Sequence, residues 1–299
     1  MPRKGQTAQA EIAIIGGSGL YAMEGLERIR EVRVRTPFGT PSDAVVIGVL
    51  GGIRAAFLSR HGRGHRLSPC EINYRANIYA LKALGVTRVL SVSAVGSMKE
   101  AIAPGHVVVP HQFVDLTKRR ASTFFERGIV AHVSFAEPIC GHLAAALARA
   151  AESVRATVHA GGAYLCMEGP QFSSKAESFF YRQWGVDVIG MTNMPEAKLA
   201  REAEMCYATI ALPTDYDCWH ESEAAVSVEQ ILGRLRKNMD LAKRILHAVL
   251  PVADEPRTCR CGSALENAIL TAPEAIPAAA KRRLGLFLGR HLGPHKGGG

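Results

Sequence analysis

Two aspartates two positions apart are the first residues whose spacing suggests chemistry. Asp215 and Asp217 follow an apolar run, residues 205–212, that predicts a buried strand. Side chains at positions i and i+2 of an extended chain share one face. Paired carboxylates suit a basic heterocycle, because one can accept a hydrogen bond from an exocyclic amino group while the other supplies or shares a ring proton. A solvated acidic turn is the alternative interpretation.

A glycine-rich loop, residues 16–19, follows an apolar strand predicted over residues 11–15. Glycines at the end of a strand let backbone N–H groups approach an anion closely. With Ala22 the spacing also satisfies a dinucleotide-binding fingerprint, in which Arg35 would hold a 2′-phosphate. The hairpin predicted around residues 51–52 conflicts with the parallel crossovers of that fold. A structural turn is the remaining alternative.

Two further segments offer groups that suit an anion. Residues 59–65 contain an Arg60–His61 pair flanked by glycines, which provides a forked cation and a second donor. A metal site at His61 and His65 would need a helix, and the two intervening glycines disfavour one. Residues 91–97 end a predicted strand in hydroxyls and glycine, which is equally typical of a plain strand-to-loop transition.

Strands and helices must alternate to position these segments. Strands are predicted over residues 11–15, 31–35, 44–50, 53–58, 88–93, 107–109, 163–167, 187–190 and 205–212. Helices are predicted over residues 72–84, 140–154, 175–184, 195–203, 228–250 (ended by Pro251) and 277–292. The pattern favours an α/β fold, a single three-layer domain with a central mixed β-sheet flanked by helices. We expect that domain to span residues 11–292, between flexible segments 1–10 and 293–299.

The composition is that of a soluble globular protein. The chain has 299 residues, of which 47% are hydrophobic, and no run of about 18 apolar residues. The first residues lack the apolar stretch of a signal peptide, and the seven cysteines are an odd number without the spacing of a disulfide framework. We therefore expect a cytoplasmic protein with reduced thiols and no membrane partner.

The formal charge of +9 could indicate a nucleic-acid partner, but the basic residues are scattered and only 6% of residues are aromatic. Local basic clusters occur at residues 28–35, 118–120 and 281–283. A solvated basic face that attracts small anions is the favoured interpretation, without a nucleic-acid partner.

Seven segments in order carry a family resemblance: residues 14–20, 36–43, 59–63, 73–78, 168–174, 190–196 and 214–219. Together they resemble the trimeric purine nucleoside phosphorylase family, and most closely its members that cleave 5′-methylthioadenosine. The resemblance covers about residues 11–250. It implies a nucleoside phosphorylase fold, a homotrimer and phosphorolysis of a nucleoside to a free base and a sugar 1-phosphate. Inorganic phosphate would be a co-substrate, with no metal and no organic cofactor.

The resemblance also implies site residues. Phosphate would be held by Ser18, Arg60, His61, Ser93 and Thr192. The nucleoside would contact Ala94, Phe172, Met191, Asp215 and Asp217, and the two aspartates would be catalytic at the N7 and 6-amino edge of the base. The 5′ substituent would lie against His132, contributed by a neighbouring subunit, and against Val228, Ile231 and Leu232.

Several alternatives remain open. Members that cleave 6-oxopurine nucleosides typically have glutamate at the position of Ser173 and asparagine at that of Asp215, so a 6-oxopurine or methylthioinosine phosphorylase is the main rival. A dinucleotide-dependent oxidoreductase is supported only by the glycine spacing at residues 17–19, and a nucleic-acid-binding module only by the net charge of +9. Cys259 and Cys261 resemble a Cys-x-Cys pair of some prokaryotic members, and either a redox role or two solvent-side thiols would fit.

Overall fold

The computed structural model describes residues 9–21, 23–220 and 228–292. Most of the predicted flexible segments, residues 1–8 and 293–299, lie outside this part of the chain. The last two residues of the first segment contact the folded domain. The Gln9 N–H donates to the Leu84 carbonyl over 2.8 Å, and Ala10 is buried.

In the described residues eleven strands form one sheet, two more than the nine predicted, and the sheet is mixed, as predicted. They are β1 (Ile12–Gly16), β2 (Leu26–Val32), β3 (Val45–Leu50), β4 (Ile53–Ser59), β5 (Arg88–Ser97), β6 (Val107–Val109), β7 (Gln112–Asp115), β8 (Val158–Ala160), β9 (Ala163–Cys166), β10 (Val188–Gly190) and β11 (Cys206–Asp215). The helices that flank them are α1 (Tyr74–Ala83), α2 (Gly141–Ser153), α3 (Lys175–Gln183), α4 (Asn193–Glu202), α5 (Val228–Ala253) and α6 (Ala278–Leu288). None of the helices in the described ranges is both long and apolar enough to cross a membrane.

The centre of the sheet is parallel, in the order β4, β1, β5, β11. Antiparallel pairing adds β3 and β2 beyond β4, and it adds β10 and β6 at the other side. The predicted hairpin between β3 and β4 is confirmed. Gly51 and Gly52 both have positive φ, 58° and 82°, which a two-residue turn between strands of right-handed twist requires.

Polar strand ends meet at one edge of the sheet because the central strands are parallel. Gly16 at the end of β1 is in register with Ser59 at the end of β4, and Ile15 is in register with Ser91 of β5. The glycine loop, the segment at residues 59–65 and the hydroxyls of β5 therefore lie side by side. This is the edge at which open α/β sheets bind ligands.

Some predicted boundaries are wrong. Strand β2 begins at Leu26 rather than at residue 31, and its charged residues are exposed because only β3 pairs with it. Strands β7 and β8 were not predicted, because they are too short and too polar to show an apolar pattern in the sequence. Helix α5 continues through Pro251 to Ala253, although an end at Pro251 was predicted. A proline so close to the helix end removes one backbone donor without opening a long stretch of helix.

A buried carboxyl group at the end of α4 provides a test of this packing. Glu202 is 6% exposed and accepts hydrogen bonds from the Thr123 hydroxyl and the Phe124 N–H, both over 2.7 Å. Burial raises the pKa of Glu202 from 4.5 to about 7, against the opposing effect of those two donors. Between pH 4.5 and 7 the native state therefore holds a proton on Glu202 that the unfolded chain has already lost.

We expect Glu202→Gln to stabilise the protein relative to the wild type increasingly as pH rises from 5 to 8. A raised carboxyl pKa makes wild-type stability fall over that interval, by about 3 kcal/mol for this shift. Glutamine has no proton to lose and can imitate the neutral acid. Thermal unfolding at each pH measures the difference. Glu152→Gln, at an exposed position of α2, is the control and should show no such trend. A difference that does not vary with pH would contradict the raised pKa.

Candidate active site

Three hydroxyl groups converge beneath the end of the sheet. The Ser93 Oγ atom lies 3.1 Å from Thr192 Oγ1 and 3.2 Å from Tyr164 Oη, and all three residues are buried. Ser93 lies on β5, Thr192 directly precedes α4, and Tyr164 lies on β9. A Cβ on Gly190 would lie 2.0 Å from Tyr164 Oη, so glycine at that position makes room for the tyrosine. Such a cluster can donate several hydrogen bonds to a phosphate.

The structure brings together two of the predicted phosphate residues, Ser93 and Thr192, and it adds Tyr164, which sequence reasoning missed. Burial raises the pKa of Tyr164, which keeps its hydroxyl protonated as a donor. The tyrosine lies in the middle of an apolar strand and could not be distinguished from a core residue. For Ser18 only the backbone is described, in a single helical turn, residues 18–21.

Arg60 is buried and makes a two-pronged ion pair inside the protein. Its Nε and Nη2 atoms lie 2.8 and 3.0 Å from the carboxylate oxygens of Glu196, and Nη1 donates to the Val92 carbonyl. Burial alone would lower the pKa of Arg60, but Glu196 more than offsets this effect. The Nε and Nη2 groups of Arg60, which were predicted to bind phosphate, therefore bind Glu196. A contact between Arg60 and phosphate stays a prediction, and the second Nη1 proton could make it.

His61 is neutral near pH 7. Burial lowers its pKa to about 4, although the hydrogen bond from Nδ1 to the Leu67 carbonyl (2.8 Å) opposes this shift. Because that carbonyl can only accept, Nδ1 carries the proton and Nε2 is an acceptor. A neutral histidine of this tautomer can accept a hydrogen bond from a singly protonated phosphate.

Asn193 is a second residue that sequence reasoning did not single out. It directly follows Thr192 and is fully buried, and neither polar atom of its amide has a hydrogen-bond partner in the described part of the chain. An unsatisfied buried polar group costs about 1–3 kcal/mol. A bound ligand or an ordered water beside Thr192 would recover that cost.

The two aspartates lie at the end of β11. The Asp215 carboxylate accepts hydrogen bonds from the Thr214 hydroxyl at 2.7 Å and from the Asp217 N–H at 2.9 Å. Asp217 accepts one from the Ser178 hydroxyl at 2.5 Å. Burial raises the pKa of Asp217, and the negative charge of Asp215 adds to this effect. The pair therefore places the Asp215 carboxyl group, a hydrogen-bond acceptor, beside an Asp217 carboxyl group that holds a proton more readily than an ordinary aspartate does.

Strand β5 sets the spacing between the hydroxyl cluster and the aspartates. Asp215 is in register with Gly96, where an added Cβ would lie 3.1 Å from Asp215 Oδ1. Ser93 is three residues earlier on the same strand, which corresponds to about 10 Å. A separation of this size matches the length of a nucleoside.

Arg120 connects the segments that carry Met191 and Glu168. Its side chain is 1% exposed, and it donates to the Met191 and Met194 carbonyls, both over 2.6 Å, and to the carboxylate of Glu168. Interpreting residues 118–120 as a solvated basic face was therefore wrong for Arg120. Burial would raise the pKa of Glu168, but hydrogen bonds from the backbone N–H groups at 118 and 119 and from Arg120 lower it to about 2.

We expect Arg120→Lys to raise the KM for the nucleoside and to lower thermal stability by several degrees. Lysine keeps the charge but cannot reach these carbonyls and the carboxylate at once. Arg119→Lys is the matched control, because Arg119 is exposed and contributes to Glu168 through its backbone, which the substitution preserves. Equal effects of the two variants would show that Arg120 does not position the segments that carry Met191 and Glu168.

The other predicted site residues are partly placed. Ala94 and Phe172 are exposed, the latter by 81%, and Met191 is half-buried with its sulfur against Gly169. His132 is exposed, and its backbone N–H donates to the Ala268 carbonyl. The predicted apolar wall falls in the first turns of α5, where the side chains lie outside the described part: Val228, Ile231 and Leu232.

This chain is similar to known proteins over most of its length. Residues 11–251 match the family model described as "Phosphorylase superfamily". A relative from Geobacter sulfurreducens, named S-methyl-5′-thioadenosine phosphorylase, is 59% identical over 94% of this chain and 99% of its own length. A relative of the same name from Koribacter versatilis is 56% identical over 97% and 99%.

Solved structures give the same result. A methylthioadenosine phosphorylase from an antarctic soil metagenomic library is 51% identical, with a TM-score of 0.91, and the match covers 94% of this chain and all of that one. The Schistosoma mansoni methylthioadenosine phosphorylase in complex with adenine is 36% identical, with a TM-score of 0.77 over 86% and 96% of the two chains.

Proposed function

This chain belongs to the phosphorylase superfamily, and on that premise we propose that it catalyses the phosphorolysis of 5′-methylthioadenosine to adenine and 5-methylthioribose 1-phosphate. The observation that carries the proposal is the placement of a hydroxyl cluster and a carboxylate pair about 10 Å apart along β5. The names of the relatives that match nearly the whole chain support the choice of substrate.

Phosphate would bind where Ser93, Thr192 and Tyr164 converge, with Ser18, His61 and Arg60 as further ligands. Breaking a glycosidic bond leaves positive charge on the sugar, and an anion held beneath the anomeric carbon stabilises that charge. The hydroxyls of this cluster are fixed by burial before the substrate arrives, so little reorganisation is needed in the transition state. A phosphate oxygen then bonds to the anomeric carbon, and the purine leaves with the electron pair of the broken bond.

The departing purine gains negative charge, which protonation at N7 neutralises. Asp215 and Asp217 would supply this proton and accept hydrogen bonds from the 6-amino group. The raised pKa of Asp217 favours its protonated form more than in an ordinary aspartate, which agrees with a role as the proton donor. Phe172 and Met191 would contact the base and the ribose. The proposed reaction needs no metal and no organic cofactor.

A 6-oxopurine substrate is disfavoured by the same groups. A carboxylate facing O6 would place two acceptors against each other, and an unpaired acceptor in a buried site costs about 1–3 kcal/mol. The relatives named S-methyl-5′-thioadenosine phosphorylase agree with the 6-amino choice.

A panel of four nucleosides tests the proposal. The protein is incubated with phosphate and with methylthioadenosine, methylthioinosine, adenosine or inosine, and the released base is identified by chromatography. We expect fast release of adenine from methylthioadenosine and slow release of hypoxanthine from either 6-oxo nucleoside. Preferential cleavage of the 6-oxo nucleosides would overturn the assignment of the base site, and no base release at all would overturn the activity.

We also propose a homotrimer in which His132 completes the 5′ pocket of a neighbouring subunit. Exposed aromatic side chains of α3 and the residue after it support association, because large apolar patches on a surface commonly mark interfaces. Phe179, Phe180 and Trp184 are 48%, 52% and 47% exposed.

We place the enzyme in the cytoplasm, because its cysteines are free thiols. Its proposed reaction belongs to purine and methionine salvage.

Subunit mixing tests the shared pocket. We expect Asp215→Asn subunits and His132→Ala subunits, each with low activity, to regain activity after they exchange, since one hybrid site then contains both intact residues. Sedimentation should give a trimer, and His142→Ala, at another exposed histidine, is the control for His132→Ala. An active monomer, or exchange without regained activity, would contradict the shared site.

A further inference from the structure

Four of the seven cysteines converge away from the proposed active site. Their Sγ atoms all lie within 4.8 Å of one another, and those of Cys206 and Cys259 are 3.3 Å apart. They come from three separate parts of the chain: Cys140 precedes α2, Cys206 opens β11, and Cys259 and Cys261 follow α5. Cys259 is half-buried, and the other three are buried.

This arrangement has the size and composition of a tetrahedral metal site. Zinc binds thiolate sulfur at about 2.3 Å, so four ligands at the corners of a tetrahedron lie about 3.8 Å apart. The Cys206 and Cys259 sulfurs, 3.3 Å apart, would separate by about 0.5 Å to reach that geometry, and every other pair of sulfurs lies within about 1 Å of it. Among the described residues, no other group of three or more cysteine, histidine or carboxylate side chains is placed to hold a metal ion.

We propose that Cys140, Cys206, Cys259 and Cys261 bind one zinc ion as a structural site. The four thiols lose their protons to solvent as the sulfurs bind Zn²⁺, so the centre carries a net charge of about −2 and no electron is transferred. All four positions of the ion are filled by protein, which leaves no site for a substrate. The ion ties the segment at 259–261 to the sheet and to α2.

The surroundings favour such a centre. A surface cavity of about 350 Å³ reaches Cys140, Cys206 and Cys259 and gives an ion a route to them. Its lining includes Arg88, Arg149 and Arg257, and positive charge nearby offsets the excess negative charge of four thiolates.

Disulfide formation is the competing fate of these thiols. Two disulfides would join the sulfurs in pairs at about 2.05 Å and would need an external oxidant. They would not require all four sulfurs to converge on one centre. The convergence of the whole set, with neither pair already at bonding distance, favours the metal.

Metal analysis of the untagged protein, purified with a reducing agent and without added zinc, tests the proposal. We expect about one zinc per chain by plasma mass spectrometry. In Cys259→Ser the zinc content should fall at least tenfold, whereas Cys218→Ser, at an exposed cysteine outside the cluster, should keep it. Cobalt exchanged into the wild type should show the visible bands of tetrahedral thiolate coordination, a measurement that does not depend on whether a variant folds.

Two outcomes would overturn the proposal. One is reduced wild-type protein that holds substoichiometric zinc as purified and shows no tetrahedral cobalt spectrum after reconstitution. The other is the presence of two disulfides among these four residues. They would appear as an intact mass four hydrogens below that of the fully reduced chain, when zinc is removed under anaerobic conditions and the mass is measured without reductant. Each measurement is independent of activity, so a metal-free but active enzyme would refute the zinc site and leave the phosphorylase assignment intact.

Discussion

Asp215→Asn is expected to lower kcat for methylthioadenosine at least about 100-fold and to raise the ratio of 6-oxo to 6-amino activity. The substitution replaces one acceptor atom by a donor, which suits the O6 of a 6-oxopurine better than a 6-amino group. Steady-state rates with methylthioadenosine and methylthioinosine measure both effects.

The variant should fold, because its surroundings can adapt. Asparagine can still accept the hydrogen bond from the Asp217 N–H, and the Thr214 hydroxyl can turn to donate to the Val95 carbonyl, which already lies 3.3 Å away. Asp240→Asn, the same change at an exposed position of α5, is the control and should leave both rates unaltered. An unchanged activity ratio in a folded Asp215→Asn enzyme would remove Asp215 from the base site.

Glu196→Gln is expected to destabilise the protein by about 3–5 kcal/mol, equivalent to a loss of roughly 6–20 °C in Tm. The carboxylate of Glu196 is the only acidic partner of the buried Arg60 guanidinium in the described ranges, and it also accepts a hydrogen bond from the Tyr207 hydroxyl at 2.9 Å. Neutral glutamine leaves that guanidinium without a counter-charge at a site where its side chain is only 3% exposed to solvent.

Thermal unfolding at pH 7 measures this effect. Glu266→Gln, at an exposed position, provides the control and should change Tm by no more than a degree or two. A Glu196→Gln protein as stable as the control would contradict the view that Arg60 is held in place chiefly by this ion pair.

Local patterns explain which parts of the fold could be predicted from the sequence. Gly51 and Gly52 predict the β3–β4 hairpin because a two-residue turn needs positive φ at both positions. Ser174 predicts the start of α3, and the structure contains the full capping box with Glu177. Both signals lie within a few residues of the structure that they specify, so no long-range information was required.

Long-range contacts explain what sequence reasoning missed. Tyr164 looks like any core residue of a strand until β9 is placed next to β10, one strand away from β5, where the tyrosine hydroxyl meets Ser93. Arg120 belongs to a run of three basic residues, and only the fold shows that it turns inward to Glu168. The four cysteines lie up to 121 positions apart, between Cys140 and Cys261, and nothing in their spacing indicates that they converge.

Labelled phosphate tests the central claim of phosphorolysis most directly. The enzyme is incubated with methylthioadenosine and phosphate carrying ¹⁸O at every oxygen, and the sugar product is analysed by mass spectrometry. We predict 5-methylthioribose 1-phosphate that retains all of the label, including the oxygen now bonded to the anomeric carbon, and no adenine release without phosphate. Unlabelled free methylthioribose, released at the same rate with or without phosphate, would show that water is the nucleophile and would contradict the account.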